Sequence, residues 1–320
     1  MNSIILGIDI SKETFDVALL SNNKIKTKKF DNNSKGFCVL KQWLNIKEVQ
    51  LVHACMESTG GYEVKLAQYL YDNNFKVSVV NPARIKGFSM SKLARVKTDK
   101  ADCQLIARFC LAMQPNLWQP TAIHVQKLQQ WVNRLDALNA NKFQESNRLE
   151  GVDSEVAVNI QSHSDFKHEG IEKVENLIAN HIKQHEDLND KSKLLASIPG
   201  VGAKTIAVVL AFLANIEDFN SAKQVVAFVG LNPKQRQSGS SVHGMTRISK
   251  TGDANLRKAF YMPAIVSLRF NPIIKDFSER LSNAVKSKMV IFIAAMRKLL
   301  HIIYGVLKNG TAFNKDIKTI

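Results

Sequence analysis

The sequence predicts a mixed α/β domain at the N-terminus followed by a chain that is mostly α-helical. Three observations carry this expectation. Short apolar runs alternate with helical stripes over the first hundred residues. From Thr121 to Leu195 proline and glycine nearly vanish while Gln, Asn, Lys and Glu dominate. After Ile198 a glycine turn opens a series of apolar helical runs.

Residues 4–10, 15–20 and 24–30 read as three strands, with Asp9-Ile10-Ser11-Lys12-Glu13-Thr14 as the polar turn between the first two. Ser34 has the character of an N-cap, and Phe37, Leu40 and Leu44 then form an apolar helical stripe. Gln50 to Met56 is a further strand, ending at Glu57. Ser58-Thr59-Gly60-Gly61 turns into a helix from Tyr62 to Asp72, and Lys76 to Val80 is a strand closed by Asn81-Pro82. The order β-β-β-α-β-α-β-α places acids at strand ends.

Those acids are the first candidate site. Asp9 ends the apolar run Ile4-Ile5-Leu6-Gly7-Ile8, where an unpaired charge is costly. Glu57 ends another strand in the same way. Lys97-Thr98-Asp99-Lys100-Ala101-Asp102 opens a helix, and Asp99 and Asp102 share one face of it. Four clustered carboxylates repel unless cations neutralise them, and hard oxygen ligands suit magnesium, with manganese as a substitute. Glu13 and Asp16 read as surface charges. Arg84, Lys86, Lys92, Arg95 and Lys97 form a basic connector before the Asp99/Asp102 pair, either a solvated loop or a contact for nucleic-acid phosphates; its position favours the second.

In the middle segment Leu128, Val132, Leu135 and Leu138 repeat at helical steps, as do Ile171, Val174, Ile178 and Ile182. The pattern predicts an antiparallel helical hairpin or coiled coil able to support dimerisation, with a turn at Asp165–Gly170. His163, His168, His181 and His185 read as surface residues. Trp43, Trp118 and Trp131 read as packing residues.

Ile198-Pro199-Gly200-Val201-Gly202-Ala203-Lys204-Thr205, between apolar helical runs, has the pattern of a helix-hairpin-helix. Gly200 and Gly202 would let backbone N–H groups approach a DNA phosphate, with Lys204 beside them. The glycine and lysine spacing is not that of a Walker A loop. Lys234 to Ser241 is small and polar, as a nucleophile loop would be, but the residues alone favour an exposed linker. Arg247 to Lys258 is basic and contains Lys250. Pro272 to Leu307 reads as helices with a basic face.

The chain has 320 residues, 45% of them hydrophobic, and a formal charge of +16. That suits two or three domains and a polyanionic partner, nucleic acid above all. Cys38, Cys55, Cys103 and Cys110 have no C-x-x-C spacing, so a zinc site is not expected and the thiols should be reduced. Val290 to Val306 is apolar, but Arg297, Lys298 and His301 break it, and the N-terminus carries no signal-peptide pattern. A cytoplasmic protein with no membrane partner is expected.

Taken together, Gly7-Ile8-Asp9-Ile10-Ser11-Lys12, Met56-Glu57-Ser58-Thr59-Gly60, Lys97 to Asp102, Ile198 to Gly202, and Gly230-Leu231-Asn232-Pro233 through Gly252-Asp253 resemble a known set of motifs. The chain is similar over nearly its whole length to the DEDD transposases of a prokaryotic insertion-sequence family that includes bridge-RNA-guided recombinases, related to pilin-gene invertases. The resemblance implies a RuvC-like (RNase H-type) domain over residues 1–120, a helical hairpin over 121–195 and a C-terminal transposase domain over 196–320. It implies magnesium held by Asp9, Glu57, Asp99 and Asp102, and a serine that becomes covalently joined to the DNA phosphate. Ser238, before Gly239, occupies that serine's place; Gln237 precedes it, and Ser240 and Ser241 stand where glycine is common. Donor and target DNA, a structured non-coding guide RNA, and a homo-oligomer, dimer or tetramer, would be the partners. A guide-independent DNA invertase, a hydrolytic RuvC-like nuclease and a non-catalytic nucleic-acid-binding remnant are the rival readings; the four acids and the serine speak against the last.

Overall fold

A computed structural model describes residues 4–44, 51–58, 60–92, 98–216, 219–238 and 242–315. The chain divides into two compact units, Met1–Thr121 and Ala122–Ile320.

The first unit opens with strands β1 (Ile4–Ile10), β2 (Thr14–Ser21) and β3 (Lys24–Asp31). It continues with helix α1 (Ser34–Leu44), β4 (Val52–Glu57), α2 (Val64–Asp72), β5 (Lys76–Val80), α3 (Pro82–Ser91) and α4 (Asp99–Met113). The strands form one sheet in the order β3-β2-β1-β4-β5. β1, β2 and β3 pair antiparallel, whereas β4 runs parallel to both β1 and β5. β1 lies centrally and is apolar on both faces, because both are covered. Leu6, Ile8 and Ile10 join the core under α1 and α2; Ile5 joins the core under α3 and α4. β3 is an edge strand, and its lysines keep that edge polar.

The strands stand where the sequence places them. Two local readings need correction. The cap of α1 is Asn33, whose Oδ1 accepts from the Gly36 N–H at 2.9 Å, one residue before Ser34. The basic connector after Pro82 begins as a helix: Asn81 caps α3 by accepting from the Ala83 N–H, and Pro82 has the fixed φ that suits a first helical turn.

The second unit begins with two long helices, α5 (Ile123–Asn147) and α6 (Ser154–Gln184). After them come α7 (Glu186–Ala196), α8 (Ala203–Phe212) and α9 (Ala222–Val229), then the strands β6 (Pro233–Ser238) and β7 (Val242–Ile248). Helices α10 (Ala254–Ala259), α11 (Tyr261–Phe270), α12 (Pro272–Asn283) and α13 (Lys288–Asn309) complete it. A single core runs from Val125 of α5 to Val306 of α13. The apolar stripes of α5 and α6 are buried as their spacing predicts.

The turn between these helices is not at Asp165–Gly170, which is continuous helix. It lies at residues 148–153, where Gly151 takes φ +77° and Asp153 caps α6 through the Glu155 N–H. Asp153 is the stronger signal, because a cap satisfies backbone donors that a mid-helix glycine such as Gly170 does not need satisfied. His181 is buried, not a surface residue, and its Nε2 lies 2.8 Å from the His124 carbonyl. His163 lies 3.2 Å from Glu145, a carboxylate also held by Lys167 at 2.9 Å and Arg148 at 3.2 Å.

Lys234 to Ser238 is strand, not linker: β6 and β7 form a two-stranded antiparallel ribbon. Helix α13 is, by length and composition, apolar enough to cross a membrane, although Arg297, Lys298 and His301 interrupt its apolar run. It packs into this unit's core instead, burying Met296, Leu299, Leu300, Ile303 and their neighbours.

Candidate active site and nucleic-acid interface

The register of the first sheet decides where the acids go. Residues of β1 and β4 alternate between faces. Gly7 and Asp9 of β1 share the face that Ile5 turns toward α4, and Cys55 and Glu57 of β4 do the same. The parallel ladder of β1 and β4 ends with Ile8 beside Met56, so Asp9 and Glu57 lie one step past it on neighbouring strands.

Helix α4 brings the other two acids. It crosses β1 at Gly7, where a Cβ would overlap the Cys103 carbonyl and the Ala107 backbone. Only glycine permits that approach. Thr98 caps α4, accepting from the Ala101 N–H at 3.2 Å, and Asp99 and Asp102 occupy the first turn. Carboxylates there also suit the helix dipole.

Asp9 registers the convergence. Burial pushes its carboxyl up to about 6, and the negative charges of Asp102, Asp99, Glu57 and Asp16 add to the rise in that order. Asp16, read as a surface charge, is half-buried. It is the antiparallel partner of Asp9 across the β1–β2 hairpin and is tied to Lys29 at 3.7 Å. The sequence holds the signal: a four-residue turn pairing Ile10 with Phe15 necessarily sets Asp9 against Asp16.

Among the described residues no three His, Cys, Asp or Glu side chains stand close enough to enclose a metal ion. The donor set is nonetheless hard oxygen throughout, and the mutual repulsion felt at Asp9 is what a divalent cation relieves. The residues therefore fit magnesium or manganese by chemistry.

The basic candidates fall into three groups. Arg84 and Lys92 lie over the Phe109 and Phe88 rings at 5.5 and 5.6 Å, and Lys86 is exposed on the same helix. Arg95 and Lys97 lie outside the described residues. Gly200 sits in the turn between α7 and α8 at φ +95°, and a Cβ there would meet Ser267 of α11. Its absent side chain thus serves internal packing. Gly202 is open, with nothing within 4 Å of a Cβ, and leads into α8. Lys204 forms an ion pair with Glu175 at 2.9 Å. In the ribbon, exposed Lys234 and Arg247 face each other across the strands, and Lys250 follows with φ +54°. Two like charges in a cross-strand pair cost stability unless an anion joins them.

Ser238 is the last residue of β6 and pairs with Val242, at the tip of the ribbon. Ser240 and Ser241 lie outside the described residues. The base of the ribbon is firmly tied. Gly252 and Gly230 approach backbone to backbone. Ser249 Oγ lies 2.5 Å from Asn232 Oδ1, and Arg257 Nη1 donates to the Val229 carbonyl at 3.0 Å.

Comparison with known proteins finds two transposase domains along the chain. Residues 6–154 match a DEDD-type transposase domain of the IS110 group, and residues 192–279 match the domain described as "Transposase IS116/IS110/IS902 family". The pilin gene-inverting protein of Moraxella lacunata is 35% identical over 99% of both chains, as is that of Moraxella bovis. The chain belongs to the IS110 family of transposases. The transposase for insertion sequence element IS1328 of Yersinia enterocolitica, 22% identical, also aligns over 98% of this chain and 99% of its own. This IS110-family protein is thus an enzyme of DNA transposition and recombination, and DNA is its substrate.

Proposed function

We propose that the protein cuts and rejoins DNA strands through a divalent-metal carboxylate site and a covalent serine intermediate. The observation that carries this reading is the placement of Asp9 and Glu57 just past the paired ends of neighbouring strands, with α4, which opens with Asp99 and Asp102, packed on β1 at Gly7. Asp9, Glu57, Asp99 and Asp102 would hold the cation. Bound there, magnesium or manganese supplies charge stabilisation to the oxygens of the phosphate under attack.

Ser238 is the nucleophile of this proposal. Its Oγ forms a bond to phosphorus as the bond from phosphorus to the leaving sugar oxygen breaks. The serine proton passes to a base, and the leaving oxygen takes one up. The phosphoester is conserved, so a hydroxyl from another strand reverses the step and rejoins DNA without a nucleotide cofactor. Lys234 and Arg247 on the ribbon with Lys250 just after it, and Arg84 and Lys86 on α3 with Lys92 at its C-terminal cap, hold the DNA backbone, as do Arg95 and Lys97. Gly200, Gly202 and Lys204 form a helix-hairpin-helix contact of the same kind, and the α5–α6 hairpin acts as a coiled coil in a homo-oligomer. The location in this reading is cytoplasmic.

A structured RNA guides target choice in this reading, and the charge of +16 supports a second polyanion beside DNA. Guide-independent inversion is the second reading, favoured by the relatives named as pilin gene-inverting proteins, which match from end to end.

The test is covalent trapping with the native flanking DNA, using wild type, Ser238→Ala and Asp9→Ala. Adducts that map to Ser238 and vanish in both variants are expected. Cutting without an adduct, with Ser238→Ala fully active, would make the protein a hydrolytic nuclease. Repeating the assay with RNase-treated protein separates guided from unguided action.

A further inference from the structure

We propose that Asn32 is a positioning residue for the carboxylate site, setting the distance between Asp9 and Glu57 by bridging the turns that leave β1 and β4. The inference rests on the metal-binding reading of those acids.

The backbone ladder between β1 and β4 stops at Ile8 and Met56, so Asp9 is paired only to β2 and Glu57 only to β5, and no β1–β4 rung ties the acids to each other. Each acid is followed by a turn with hydrogen bonds of its own. After β1, the Ser11 N–H donates to the Thr14 carbonyl at 2.9 Å and the Ser11 hydroxyl donates to the same oxygen at 2.7 Å. After β4, the buried carboxylate of Glu63 accepts from the Ser58 hydroxyl at 2.9 Å and from the Gly61 N–H at 3.0 Å. Each of these bonds lies within its own turn.

Asn32 does. Its Nδ2 donates to the Ser11 carbonyl at 2.9 Å and to the Tyr62 carbonyl at 3.3 Å. Its own N–H donates to the Glu13 carbonyl at 2.7 Å. One amide thus joins segments 21 and 30 residues away. An asparagine that serves only its own turn bonds its neighbours instead. Asn33 does this, capping α1 and so anchoring Asn32 against a helix. Among the described residues the buried Asn32 Oδ1 has no hydrogen-bond partner, and the amide is oriented by its two donations. Glu63 and Asn32 thus order, from outside, the turns that follow Glu57 and Asp9. Outer groups of this kind commonly govern metal affinity by about 10–100-fold.

The test measures manganese binding to the full-length protein, following the EPR signal of the free ion, for wild type, Asn32→Leu, Asn32→Ala and Asp9→Ala. Leucine keeps the volume of Asn32 and removes both donations; alanine covers the case in which leucine does not fit. Both Asn32 variants should bind manganese about 10–100-fold more weakly. Their metal-free affinity for DNA should stay within about twofold of wild type, which a general loss of structure would not allow. If Asp9→Ala loses manganese while both Asn32 variants bind it as wild type does, Asn32 has no positioning role. If Asp9→Ala itself binds manganese normally, it is the reading of the acids that fails.

Discussion

The two candidate active regions are built on opposite plans. In the first unit the acids stand on strands covered on both faces, and α4 meets β1 at backbone contact through Gly7. In the second, Ser238 stands at the tip of a ribbon whose strands, among the described residues, pair with each other alone. Two-stranded ribbons are marginal on their own, so this one depends on its base. The charged site is preorganised by the core. Ser238 stands at the far end of a ribbon whose base is tied at Gly230, Gly252, Asn232 and Ser249.

Asp9→Ala should separate the two regions most sharply. It should reduce strand cleavage to background while leaving DNA binding in place, as read by cleavage and gel-shift assays together. Cleavage within about tenfold of wild type, a barrier change of only about 1.4 kcal/mol, would remove the carboxylate site from the mechanism.

Next in size are the two close approaches at glycine. Gly7→Ala forces a Cβ into the α4 backbone, and overpacking of this kind costs about 1–3 kcal/mol or more. It should lower the melting temperature and weaken manganese binding together. Gly252→Ala places a Cβ against the Gly230 backbone at φ +155°. It should reduce covalent adducts and leave manganese binding unchanged. If both variants lose both properties equally, the two regions are not independently organised.

A smaller effect is expected from the basic residues. Removing Lys234 and Arg247 together should weaken DNA binding and lower the slope of log affinity against log salt by about 2, one for each phosphate no longer neutralised. Lys204→Ala should change the slope less, because Lys204 is shared with Glu175. An equal change would mean that DNA breaks that ion pair.

The smallest effect lies in the far end of the α5–α6 hairpin. Lys167 first, then Arg148, hold the Glu145 carboxyl below its usual range. A depressed carboxyl stabilises the fold above its unfolded pKa, and the contribution is lost as pH falls through the depressed value. Glu145→Gln should therefore melt below wild type at neutral pH, with the gap closing as pH drops below the ordinary glutamate range. A gap that stays constant with pH would assign the loss to packing.

The periodicities of the chain determined the strands of the first unit, the apolar faces of α5 and α6, and the four acids at element ends. Each is a local property, because burial on a known face follows from spacing alone. The motifs together also determined the family. Tertiary structure decided what depends on partners distant in sequence. Strand order put Glu57 beside Asp9, and α4 could bring Asp99 and Asp102 to the same face only because Gly7 lets it lie against β1. The ribbon at Ser238 was invisible to hydrophobic pattern, since a two-stranded element with little core has no buried face to mark it. Asn32 was equally hidden: nothing in its own neighbourhood shows that its amide joins two turns, because both bonds are made only when the sheet is complete.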